Sequence, residues 1–138
     1  MRPVFCAALL AMLLPAAALA DATPSPKGAK VMILEPKADA EVTSPVTVKF
    51  GIEGMDIAPA GTDKPNTGHH HLIIDGKVDD MAAAIPADAN HVHFGKGQTE
   101  ATVELKPGKH TLQLVLGDKN HVPHNPPVMS DVISVTAK

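Results

Sequence analysis

The chain has 138 residues, 15 acidic against 12 basic side chains, and a formal charge of −3. It has no basic run, no Trp and no Tyr, so it lacks both the charge that tracks a phosphate backbone and the rings on which bases stack. Nucleic acid is excluded as a partner on these grounds, and a sugar-binding aromatic platform is disfavoured.

The first 20 residues read as a cleaved leader. Arg2 supplies the positive start, residues 5–14 are apolar, and Ala18-Leu19-Ala20 is a small-x-small processing signal. The apolar run is too short to span a membrane. Cys6 lies inside this segment, without the small residues that precede a lipid-modified cysteine. Cleavage after Ala20 leaves 118 residues with no cysteine and a charge of −4, destined for the periplasm. The mature chain has no membrane span.

Residues 21–30 are rich in Pro, Ala and Lys and read as a disordered lead-in. Residues 31–34 form a short apolar strand stopped by Glu35-Pro36. Val46, Val48, Phe50 and Ile52 then alternate with Thr47, Lys49, Gly51 and Glu53, the period of a half-buried strand. A loop with Pro59, Gly61 and Pro65 leads to Gly68-His69-His70-His71-Leu72-Ile73-Ile74, read as a buried strand that ends at Asp75-Gly76.

Residues 77–90 are the least patterned and are expected to hold a further strand, a helical turn or a crossover. His91 to Gly97 reads as a loop or short edge strand. Thr99, Ala101, Val103 and Leu105 alternate with polar residues up to the turn at Lys106-Pro107-Gly108-Lys109. His110, Leu112, Leu114 and Leu116 share one face of the next strand. A second long loop covers 117–127, and residues 132–136 close the chain as a last strand.

Strands at this spacing predict an all-β fold, a single immunoglobulin-like or fibronectin-like antiparallel β-sandwich over residues 31–138. In that topology the loops at 54–68, 88–97 and 117–127 fall at one end. Three histidine clusters come together there: His69-His70-His71, His91-Val92-His93 and His121-Val122-Pro123-His124. His110 falls at the opposite end and reads as structural.

Histidines at i and i+2 of a strand share a face, with Cα atoms roughly 6.5–7 Å apart. Two such rings can grip one ion at about 2.0–2.1 Å per bond. The expected ligands are His69, His71, His91, His93, His121 and His124. His70 has core parity, and with Met55, Met129 and Glu100 it is an additional or supporting candidate. Asp56, Asp63 and Asp118 read first as solvated charges.

An imidazole-rich set without thiolate suits copper, with zinc the alternative. Because neutral imidazole is the ligand, affinity is expected to fall as pH drops toward about 6. The function this implies is periplasmic copper handling: capture, buffering or delivery to another periplasmic or membrane metalloprotein. An adhesion or ligand-binding module with a histidine loop network is the second reading, and a zinc- or copper-dependent enzyme the third. No nucleophile elbow or reactive cysteine supports catalysis.

The motifs KPNTGHHHL (64–72), HVHFGKGQTE (91–100), LKPGKHTL (105–112) and HVPH (121–124) resemble a bacterial exported family, the domain of unknown function numbered 4399. The resemblance covers roughly residues 31–136. It implies a small exported bacterial protein and names no activity. His110 belongs to the resembling motifs.

Overall fold

A computed structural model describes residues 22–138. The expected leader at 1–20 lies outside the described residues. The described residues form nine strands: β1 (Lys30–Glu35), β2 (Glu41–Val42), β3 (Val46–Glu53), β4 (Asp56–Ile57), β5 (Thr67–Ile74), β6 (His91–His93), β7 (Glu100–Val103), β8 (Gly108–Gly117) and β9 (Ile133–Ala137). No helix forms among the described residues, so none is long and apolar enough to cross a membrane.

The fold is all-β, with two packed sheets. One has the order β1-β3-β7, antiparallel throughout. The other runs β2-β9-β8-β5-β4, with β6 also paired to β5. β8 takes one edge of β5, pairing His69 with Gly117 through to Ile74 with Leu112. The other edge is shared: β4 runs parallel beside Thr67 and Gly68, and β6 runs antiparallel beside residues 71–73.

Alternation decides what lies between the sheets. Val46, Val48 and Phe50 of β3 meet Leu72 and Ile74 of β5, Leu112, Leu114 and Leu116 of β8, and Val135 of β9. Removing a fully buried leucine such as Leu72 or Leu114 to alanine would cost about 2–5 kcal/mol. His70 has the same parity and lies inside this core, its ring centroid 4.9 Å from that of Phe50.

Every residue of β5 is buried, which alternation alone does not account for. The second face is covered by the segment expected to supply a further strand or a helical turn. Residues 77–90 form neither; they cross the outward face of the larger sheet as an irregular loop. Ile85 and Val78 pack there against Ile73, Val115 and Met129. The amide of Ile85 donates to the His121 carbonyl at 2.8 Å, which ties this covering loop to the loop after β8.

The segment expected as a lead-in also has partners. The Asn125 amide donates to the Thr23 carbonyl at 2.9 Å, and the Ser25 hydroxyl donates to the Pro126 carbonyl at 2.6 Å.

Candidate metal centre

β5 projects His69, His71 and Ile73 to the outward face, opposite His70, Leu72 and Ile74. His93 of β6 sits directly across from His71 and shares its face. The loop after β8 folds back over Gly117 and delivers His121. The four histidines converge: each offers a ring nitrogen, and all four atoms lie within 4.8 Å of one another. The centre therefore stands on the outer face of the larger sheet, beneath the covering loops, near the end where β5 begins and β8 finishes.

A simple hydrogen-bond network does not satisfy these nitrogens. Nε2 of His69 stands 3.0 Å from Nε2 of His71 and 3.1 Å from Nδ1 of His121. One ring nitrogen carries either one proton or one lone pair, so it cannot form two well-made bonds of this kind. A cation among them satisfies every lone pair at once. With bonds of about 2.0–2.1 Å, tetrahedral nitrogens stand about 3.3 Å apart and opposite corners of a square plane about 4.1 Å. The two close separations suit neighbouring corners of either arrangement, and the wider ones, up to 4.8 Å, would shorten as the rings close on an ion.

Burial sets the protonation state. His69 and His71 are each only 1 % exposed. Desolvation, reinforced by neighbouring histidines, lowers the pKa of His69 to about 4 and that of His71 to about 3. His93 is lowered too, by desolvation and then by His121. These rings are neutral, with lone pairs available, well below the ordinary histidine range. The expected loss of affinity toward pH 6 is therefore moved to lower pH at these positions. His93 is exposed and His121 half-buried, so the centre opens to solvent on their side.

His91 shares the face of His93 but lies two pairs further along, opposite Ile73. Its Nδ1 stands 2.7 Å from Asp88 and its Nε2 2.9 Å from the Lys77 carbonyl. Burial disfavours its proton, but these two acceptors outweigh that and raise the pKa. Both nitrogens are thus engaged away from the cluster. His124 is buried, with Nε2 donating to the Thr67 carbonyl at 3.2 Å, and also stands outside. Met55 is in the core between the sheets, and Met129 packs with Ile73 and Val115. Glu100 is exposed on β7, in the other sheet. His110 bonds Asp75 and the Lys106 carbonyl, both at 2.6 Å, far down β8 from Gly117.

Asp118 is the residue that sequence reasoning undervalued. It is 5 % exposed, not solvated. Desolvation raises its pKa, but bonds from Thr23, Val122 and Asn120 outweigh this and leave the carboxyl below its usual range. The Asp-x-Asn run at 118–120 is the signal that could have marked it, since such side chains cap turns two residues on.

The family profile described as Domain of unknown function (DUF4399) matches residues 48–138. The chain belongs to the DUF4399 family. The match takes in β4 to β9, most of β3 and all four clustered histidines, while β1, β2 and the Thr23 segment precede it. No curated protein and no solved structure matches the chain significantly. The reading of this DUF4399 domain accordingly rests on its own residues.

Proposed function

We propose that this is an exported copper-handling protein that captures, buffers or hands on the ion through His69, His71, His93 and His121. The observation that carries the reading is the convergence of four ring nitrogens within 4.8 Å of one another, two of them on fully buried, uncharged rings.

The donor chemistry supports a divalent ion. Four imidazoles without thiolate suit copper or zinc, and divalent copper tops the affinity series for nitrogen ligands. Met55 lies in the core between the sheets, and Met129 packs with Ile73 and Val115. Four protein ligands fill a tetrahedron, whereas catalytic zinc centres keep one position open. This favours binding over turnover. The exposed side at His93 gives an ion a way in and out, and a partner metalloprotein a place to take it.

Competition titration of Cu(II) and Zn(II) against a chromophoric chelator tests the reading. Wild type binds one ion per chain, copper more tightly than zinc, and His69→Ala/His71→Ala loses the site. An unchanged copper isotherm in the double variant would sink it. The adhesion reading predicts a melting temperature indifferent to copper and to chelator.

A further inference from the structure

His121 is the one clustered histidine held by a loop, and its backbone has φ 66°, in the left-handed region. A non-glycine residue is strained there and stays only if its surroundings hold it. Those surroundings centre on Asp118. Its Oδ1 accepts from the Asn120 amide at 2.8 Å and the Val122 amide at 3.0 Å. The Asp118 amide donates to the Val122 carbonyl and the His121 amide to the Asp118 carbonyl, both at 2.9 Å. Four bonds thus wrap residues 118–122 around one carboxylate and its backbone.

The other carboxylate oxygen reaches out of the loop. Oδ2 accepts from the Thr23 hydroxyl at 2.6 Å, across 95 residues of sequence. Thr23 belongs to a short strap that also pairs with the far side of the same loop. Pro24 bridges Asn125, the Asn125 amide donates to the Thr23 carbonyl, and the Ser25 hydroxyl donates to the Pro126 carbonyl. The strap thus bonds both ends of the loop that presents His121.

We propose that Asp118 and the N-terminal strap at Thr23 form a positioning device that holds His121 toward the ion. The inference rests on the metal reading above. With the strap docked, the centre has four imidazoles. With the strap released, the 118–122 turn relaxes, His121 leaves the left-handed conformation, and three imidazoles remain with one position open. Anything that removes residues 22–25 from the loop, whether proteolytic trimming or a partner that binds the strap, therefore loosens the ion. Asp118 and Thr23 are positioning residues: they touch the loop, not the metal.

The test uses the mature protein and cupric ion alone, read by competition titration and by the electron paramagnetic resonance pattern of equatorial nitrogens. Thr23→Val and Asp118→Ala should each weaken copper by about 10- to 100-fold, the usual effect of losing an outer-shell partner. Each should also shift the spectrum toward that of His121→Ala. Thr23→Ser and Asp118→Asn, which keep the hydroxyl and the amide-accepting oxygen, should stay close to wild type in both readouts. Thr23→Val changes one side chain on the strap, so the test does not depend on Asp118→Ala folding. Wild-type affinity and spectrum in Thr23→Val, alongside a weakened His121→Ala, would overturn the device and leave the metal centre standing. A wild-type protein that binds no copper would overturn both.

Discussion

A Cβ placed on Gly117 would lie 2.7 Å from Nε2 of His71, the atom that faces the other clustered nitrogens. Gly117 pairs with His69 across the ladder, so its missing side chain is the space in which the buried ring stands. Gly95 does the same for His93: a Cβ there would come within 2.6 Å of that Nε2. These close approaches lead to the first prediction. Gly117→Ala folds, because its backbone is not in the left-handed region, but His71 must move. Copper affinity should drop by about 10- to 100-fold, as when other ligand-orienting contacts are lost. Chelator competition checks this, and thermal melting of the metal-free variant separates it from a folding defect.

The second prediction concerns pH. Four imidazoles with ordinary pKa values would lose on the order of 10,000-fold in affinity between pH 7.5 and 5.5, because each must shed a proton to bind. Burial keeps His69 and His71 neutral until about pH 4 and 3, and lowers His93. The measured loss over that interval should stay below about 100-fold. Titrations at four or five pH values check it.

The third concerns His70. Its ring is fully buried in the core, and neither ring nitrogen has a partner. Desolvation lowers its pKa from 6.5 to about 4. Because the unfolded chain takes up the proton first, stability is complete above pH 6.5 and is lost as pH falls toward 4. The loss at pH 4, relative to neutral pH, is about 3 kcal/mol. His70→Leu removes both the unpaired nitrogens and the titration. It should stabilise the protein at neutral pH by about 1–3 kcal/mol, stabilise it further in acid, and leave copper binding intact. Urea melts at pH 7 and pH 4.5 check the sign.

The fourth concerns the opposite end of the sheet. The hydrogen bond from His110 to Asp75, helped by the Lys106 carbonyl, raises the His110 pKa. For a raised base the sign reverses: the contribution is complete below pH 6.5 and is lost as pH rises through the folded value. Asp75 is partly exposed, so the pair is worth no more than about 1 kcal/mol. His110→Ala should therefore destabilise at pH 6 and do little at pH 9, with copper binding unchanged at both.

Much of this architecture could be read from side-chain period. β3 alternates cleanly because one face is in the core, whereas β8 is buried on both faces from Leu114 to Gly117; His69 with His71 follow from strand parity. Parity assigns a face, however, not a neighbour. His91 and His93 share one face, and only the β5–β6 register puts His93 beside His71 and leaves His91 beside Ile73. His124 is only three residues from His121, yet it turns to the Thr67 carbonyl because the 118–122 turn redirects the chain between them. Residues 77–90 have no period because they pack as a covering loop through isolated apolar anchors such as Ile85. Asp118 and Thr23 were hidden because a contact spanning 95 residues leaves no local pattern at its distant end.

The most direct test is a crystal structure of the copper-loaded mature protein, with data collected at the copper absorption edge. The account predicts one anomalous peak on the outward face of β5, about 2.0–2.1 Å from a ring nitrogen of each of His69, His71, His93 and His121. A copper peak at His91, His110 or His124 with none at the four-histidine cluster, or a protein that crystallises from excess copper with no peak at all, would contradict it.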